Sequence, residues 1–145
     1  MAAESSVAAI RAAVEAVLPS TVSGPGAAEL GVERHVVEQI EVTFPGMLDL
    51  LEIMLNAYAS DVAAGSVFED LSIEDRQQVL RLMSMEESQD IVEIVDAILV
   101  FTYGGVYSEW TGYDRATGRL DPPASWDEVG YPGPSRGHPV YRTDA

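Results

Sequence analysis

Residues 91–100 have the sequence IVEIVDAILV, and this stretch decides the class of fold. Its apolar residues cover almost every side of the helix that their spacing predicts over residues 87–103. Residues 45–64 predict a second helix of this kind, with the apolar residues Met47, Leu48, Leu50, Leu51, Ile53, Met54, Leu55 and Tyr58. Helices this apolar are typical of a protein interior, so we expect both at the centre of the domain.

Three amphipathic helices are predicted around these two. The first starts near Ser5 or Ser6 and is stopped by Pro19, and the second covers residues 27–42. The fourth helix along the chain opens with Ser72-Ile-Glu-Asp75, which resembles a capping box with Asp in place of the usual Glu. The pattern therefore predicts an all-α bundle of about five helices.

The chain changes character after Gly104. We divide it into a helical bundle, residues 1–104, and a long irregular C-terminal arm, residues 105–145. The arm is rich in Gly and Pro, which exclude a continuous helix and disfavour central strands. It also holds six Tyr and Trp residues, and large rigid rings are favoured anchors at interfaces. The composition indicates a segment held by its own bundle or by another protein.

We expect the arm to dock on a partner through rings, one Pro and one Arg. These residues are Tyr107, Trp110, Tyr113, Trp126, Tyr131, Pro132 and Arg136. Some of the rings have an alternative role, which is to cover the chain's own bundle. That alternative applies to Tyr107 beside the fifth helix, and to Trp126 and Tyr131 farther along.

The charge of the chain limits its partners. It has 24 acidic residues and 8 basic ones, for a net charge of −16. Repulsion disfavours nucleic acid and anionic membranes, and no apolar run is long enough for membrane insertion. The charge serves either solubility or the attraction of a basic partner. Without a visible secretory or twin-arginine signal, we expect a cytoplasmic protein.

Residues that could support chemistry are few. Cys is absent, and His35 and His138 are the only histidines. His35 is expected to be an exposed helical residue, and one Glu beside it, Glu38, is too few for a metal site. His138 has no nucleophile or pocket signalled near it. The sequence therefore predicts no catalytic, metal-binding or cofactor-binding residue in this chain.

Two segments carry a family pattern. The first is a Gly-x-x-Phe-x-x-Leu turn at Gly65, Phe68 and Leu71, followed by Arg76 within a helix. The second runs from Gly-Val-Tyr-Ser at 105–108 to a Trp at 126 and the ending Gly-Tyr-Pro-Gly-Pro at 130–134. Together they resemble the gluconate 2-dehydrogenase subunit 3 family, and the ending is the more specific of the two.

The resemblance implies a non-catalytic small subunit that binds and stabilises a large oxidoreductase of the glucose–methanol–choline type. Such a partner holds FAD and oxidises sugars, sugar acids or polyols. Many members of the family have a twin-arginine signal and are exported with their partner. This sequence departs from them at its N-terminus, which favours a cytoplasmic complex.

Two other functions stay open at this point. One is an assembly chaperone for such an enzyme that is released after folding. The other is a small stand-alone helical enzyme, which would need clustered polar groups inside the bundle. Asp49, Asn56 and Asp96 are the residues that could supply them. The substrate of the partner, its electron acceptor and the stoichiometry are not encoded in this chain.

Overall fold

The computed structural model describes residues 4–131, which are mostly helical. Within this range the α-helices are α1 (Glu4–Val17), α2 (Glu33–Thr43), α3 (Met47–Val62), α4 (Ile73–Ser84), α5 (Gln89–Tyr107) and α6 (Ala124–Glu128). Single 3-10 turns lie at Phe68–Asp70 and Glu109–Gly112. Two short antiparallel strands, β1 (Tyr113–Asp114) and β2 (Arg119–Leu120), pair between α5 and α6. The all-α class and the number of bundle helices are thus as predicted, but the second helix begins at Glu33 rather than at the predicted residue 27.

Helix α1 is the centre of the bundle, because α2, α3, α4 and α5 all pack against it. Its sequence, ESSVAAIRAAVEAV, explains this position. Ala9, Ala12, Ala13 and Ala16 are buried, and their small side chains let neighbouring backbones approach closely from several sides. The prediction that α3 and α5 are the central helices and that α1 flanks them is therefore wrong.

Helices α3 and α5 each pack on α1, α2 and α4. Their inward faces are buried through Leu51 and Leu55 of α3 and Ile98 of α5. Their outward faces are also apolar, and Ile53 is 65% exposed and Val100 64% exposed. Neither helix is enclosed, so the apolar residues on the outward faces are left facing solvent in the described chain.

The Gly-x-x-Phe-x-x-Leu turn connects α3 to α4. Gly65 has a φ of +78°, a conformation that glycine adopts without steric cost after a helix end. Phe68 is fully buried and Leu71 nearly so. The backbone N–H of Phe68 donates a 2.8 Å hydrogen bond to the side-chain oxygen of Asn56 on α3. The turn therefore anchors the start of α4 in the core.

Two side chains fix α4 at its first turn. Ser72 accepts a hydrogen bond from the backbone N–H of Asp75 at 3.1 Å and donates one to the Asp75 carboxylate at 3.0 Å. This confirms Ser72 as the N-cap, but the Asp75 carboxylate accepts from the Ser72 hydroxyl and not from the Ser72 backbone N–H, as it would in a capping box. Arg76 donates to Glu15 of α1 at 2.6 Å and to the backbone oxygen of Glu69 at 2.7 Å. The conspicuous Arg of the family pattern is therefore a structural residue that joins α4, α1 and the turn.

Helix α5 ends at Tyr107 rather than near Tyr103 as predicted. Its last turn packs on α2, where a Cβ on Gly105 would lie 2.6 Å from Cγ1 of Val32 and 3.0 Å from Cδ2 of His35. Only glycine fits this contact without movement. The sequence pattern ended the helix early because consecutive glycines usually mark a helix end. Here one of them permits the close approach of two helices.

None of the helices in residues 4–131 is both long and apolar enough to cross a membrane.

Candidate partner-docking surface

The outward face of α5 presents two stacked tyrosines. The rings of Tyr103 and Tyr107 lie 6.2 Å apart, centroid to centroid, with an angle of 10° between their planes. One helical turn separates them, which is the spacing at which side chains on a helix meet. Tyr103 is 46% exposed and Tyr107 37% exposed. Val100, one turn earlier, continues the same apolar stripe.

Trp110 follows directly after α5 and covers a histidine. Its ring centroid lies 5.3 Å from that of His35 on α2, and the planes are tilted by 55°. Both residues are half-buried. The prediction that His35 is an exposed helical residue is thus wrong, because the chain after α5 folds back over it.

The environment of His35 disfavours its charged form. Burial lowers the pKa of the imidazole below its usual value, and Arg115 lowers it further, whereas Glu38 acts in the opposite direction. The Nδ1 atom of His35 is buried and has no hydrogen-bond partner among the described residues. His35 is consequently a neutral packing residue between α2 and the segment after α5.

Tyr113 stands on a small hairpin formed by β1 and β2. The tight turn is held by Asp114, whose carboxylate accepts hydrogen bonds from the Thr117 hydroxyl at 2.6 Å and the Ala116 N–H at 2.9 Å. These bonds lower the pKa of Asp114, with Thr117 the larger cause. Tyr113 is 49% exposed at the base of this hairpin. A fixed turn therefore positions an exposed ring.

A polar groove of about 500 Å³ separates the hairpin from the start of α2. Trp110 and Tyr113 line it from one side and Arg34 from the other. Arg115 also lines it and donates a 2.9 Å hydrogen bond to Glu38. This ion pair is exposed on both sides, so it contributes little to stability. The groove combines two arginines with two aromatic rings, which are residue types enriched at protein interfaces.

Trp126 is the one predicted contact ring that the described chain buries. It is 6% exposed, and its ring meets that of Tyr131 edge-on at 4.9 Å. The neighbouring Ser125 donates a 2.5 Å hydrogen bond to the backbone oxygen of Val106 in α5. These contacts fasten α6 to the end of α5. They leave Tyr131 at 46% exposure beside the buried indole.

The structure places the predicted contact residues in three groups. Tyr107 lies on α5 with Tyr103, Trp110 and Tyr113 share the polar groove, and Tyr131 packs on Trp126. Pro132 and Arg136 lie outside the described residues. Whether any of these residues contacts a partner stays a prediction.

Tyr103 was not among the predicted contacts. Its i, i+4 spacing from Tyr107 would have indicated the pair, had the helix been predicted to reach Tyr107.

The polar residues that a stand-alone enzyme would need do not come together. Asp96 is exposed on α5, and Asn56 is engaged with the Phe68 backbone on α3. Asp49 is exposed on α3 and accepts a 3.2 Å hydrogen bond from Ser6. Across the described residues, no group of three or more His, Asp or Glu side chains could hold a metal ion.

Comparison with known families gives one match. A family model described as gluconate 2-dehydrogenase subunit 3 matches residues 4–133, which includes every described helix and the segment with the exposed rings. No curated protein and no solved structure matches the chain.

Proposed function

The chain belongs to the gluconate 2-dehydrogenase subunit 3 family, and from this premise we propose that it is a non-catalytic small subunit of an oxidoreductase complex. In this proposal it binds and stabilises a large FAD-dependent subunit that oxidises a sugar or polyol. The flavin belongs to the large subunit, and the segment after residue 104 is the main element that docks on it.

One observation supports docking more than any other: three groups of exposed rings lie on α5 and after its end, and we call them together the aromatic surface around the end of α5. Tyr103, Tyr107, Tyr113 and Tyr131 are each between 37% and 49% exposed. Tyr anchors bury a large ring at low entropic cost and are enriched at the energetic centres of interfaces. A free-standing bundle gains nothing from such rings in solvent, whereas a subunit gains their burial on association.

The same surface is held in place before any partner binds. Trp110 rests on His35, Asp114 closes the hairpin turn, and Ser125 ties α6 to α5. A preformed surface loses less conformational entropy on association than a flexible one. The preformed surface therefore supports a stable complex, in which this chain remains bound as a subunit.

The proposal is tested by co-expression of this chain with a large FAD-dependent oxidoreductase subunit from the same organism. We expect a stoichiometric yellow complex that survives size-exclusion chromatography. The double substitution Tyr103→Ser and Tyr107→Ser should weaken it, whereas Val42→Ser, at an exposed valine on α2, should not. Circular dichroism of each free variant checks that the helices persist.

Two results would count against the proposal. A colourless chain that elutes alone, with or without the flavoprotein, would exclude a subunit. An active flavoprotein whose folding needs this chain, but which no longer contains it, would instead identify an assembly factor that is released.

A further inference from the structure

A second apolar surface lies at the other end of α5, where its first turns face α3. The two helices border a groove of about 450 Å³. Its apolar lining includes Phe44, Leu50, Ile53, Met54, Tyr58 and Ile91. No ring of the aromatic surface around the end of α5 lines this groove, so the two surfaces are separate.

Two residues on the outward face of α3 expose apolar surface to solvent along this groove. Leu50 is 47% exposed and Ile53 is 65% exposed, and Ala57 follows one turn later on the same stripe. An apolar patch that is rimmed by polar residues is typical of a protein-interaction site. Their position beside a cleft allows an apolar side chain of a partner to insert between the helices.

Two carboxylates lie in the lining of this groove and two more lie at its edge. Asp90 and Glu93, on the first turns of α5, line the groove directly. Glu86 and Asp61 lie near Tyr58 at its edge and raise the pKa of its phenol, with Glu86 the larger cause. Within the described chain, no Arg lines this groove. Charge complementarity therefore favours a ligand that is apolar at its centre and positively charged at its margins.

We propose that this groove binds an amphipathic segment of the large subunit, in which apolar side chains are flanked by Lys or Arg. The inference rests on the proposed function, to which it adds a second contact and its chemistry. A second copy of this chain is a poorer occupant, because two chains of charge −16 would bring acidic margins together.

The apolar part of this contact is tested with a pair of substitutions at Ile53. Ile53→Gln removes the apolar anchor without adding charge, and Ile53→Glu adds a carboxylate as well. We expect affinity for the co-purified flavoprotein to fall about 10-fold for Gln and up to about 100-fold for Glu. Val22→Glu is the matched control, because Val22 is fully exposed and does not line the groove.

The occupant is identified by placing the photo-crosslinker benzoylphenylalanine at position 53 of the full chain in the complex. The expected product joins this chain to a peptide of the large subunit that contains apolar residues next to Lys or Arg. A crosslink to residues 132–145 of the same chain, to a second copy, or to a peptide without basic residues would overturn the inference.

A parallel crosslinker at Tyr107 separates this inference from the proposed function. If neither position captures the large subunit and no complex forms, the proposed function fails. If Tyr107 captures it, while position 53 does not and the Ile53 variants bind normally, only the groove is wrong.

Discussion

At the scale of single residues, two adjacent glycines in α5 differ in the space that is available for a side chain. A Cβ on Gly105 would lie 2.6 Å from Cγ1 of Val32, a fully buried, β-branched side chain that cannot rotate away. A Cβ on Gly104 would meet nothing closer than Nε2 of His35 at 4.0 Å. A substitution at Gly104 therefore reports on helix propensity, whereas one at Gly105 reports on the packing of α5 against α2.

We expect Gly105→Ala to lower the free energy of unfolding by about 1–3 kcal/mol, because α5 must move away from α2. Gly104→Ala should raise it by about 0.5–1 kcal/mol, since alanine is the better helix former. Urea denaturation of the two variants measures both values. Equal effects at the two positions would contradict the close approach of α5 and α2.

His35 predicts a pH dependence of stability. Its pKa in the folded chain is lowered, chiefly by burial, whereas the unfolded value is about 6.5. The unfolded chain therefore binds a proton more readily than the folded one. The stability due to neutral His35 is present above about pH 6.5 and is lost as the pH falls through the folded pKa.

This dependence is measured as the difference between the unfolding free energies of the wild type and His35→Gln from pH 7.5 down to pH 5. The wild type should lose stability relative to the variant over this range, because glutamine does not titrate. Glu38→Gln should extend the loss to lower pH, since Glu38 raises the His35 pKa. A pH-independent difference would show that His35 is not desolvated in the folded chain.

At the scale of elements, Arg76 shows how one side chain fixes three of them. Its side chain is only 12% exposed, and it bonds Glu15 of α1 and the backbone of Glu69 in the turn before α4. Removing the Arg76 side chain deletes two charge-assisted bonds and the packing of its largely buried stem, although water can reach Glu15, which is 44% exposed, and the exposed Glu69. The cost is therefore larger than that of an exposed ion pair.

We expect Arg76→Ala to lower the free energy of unfolding by about 2–3 kcal/mol. Arg119→Ala is the matched control, because its ion pair with Asp121 is exposed on both sides. Its effect should be within about 0.5 kcal/mol. Similar losses for both arginines, in the same urea titration, would mean that Arg76 does not join the elements.

The elements also show what the sequence could predict. The Ser72 cap and the existence of five bundle helices followed from periodicity and local chemistry, which act over a few residues. The centre of the bundle did not follow, because the alanines of α1 are weakly apolar by pattern, and yet they are buried where four other helices pack on α1. The outward residues Ile53 and Val100 have the same apolar character as their buried neighbours. Only the packing of the helices decides which of them face solvent.

For the candidate site, too, the sequence predicts the local features but not those that depend on packing. The exposed rings of Tyr107, Tyr113 and Tyr131 are conspicuous in the sequence, but composition does not distinguish them from Trp126, which the chain buries under its own contacts. The burial of His35 under Trp110 joins residues 75 positions apart, a separation at which local patterns give no information. Short-range patterns can predict the elements and the aromatic segment, but the surface itself depends on long-range packing.

At the scale of the whole molecule, charge opposes the compact state. The net charge is −16, and the ion pairs within the described residues engage Glu15, Glu33, Glu38 and Asp121. Most of the carboxylates in that part of the chain are therefore not neutralised by a nearby Arg within it. Repulsion among them destabilises the folded chain, and dissolved salt screens it.

Salt should consequently act in opposite directions on stability and on partner binding. The Debye length falls from about 30 Å at 0.01 M to about 8 Å at 0.15 M ionic strength, so the free chain should unfold at a higher temperature as NaCl is added. A gain of about 1 kcal/mol corresponds to about 3 °C for a chain of this size. Association of the acidic groove with a basic segment should instead slow, because screening removes the electrostatic attraction during encounter.

Thermal melts measure the stability of the free chain, and association rates measure partner binding, both across one NaCl series on the same preparation. A KCl series is the control, because screening should not depend on which of the two salts is added. Glu93→Gln removes one carboxylate of the groove and should reduce the salt dependence of the association rate while raising the melting temperature slightly. If salt stabilised the chain but left association unchanged, the acidic margins would contribute to repulsion within this chain alone and not to recognition of a partner.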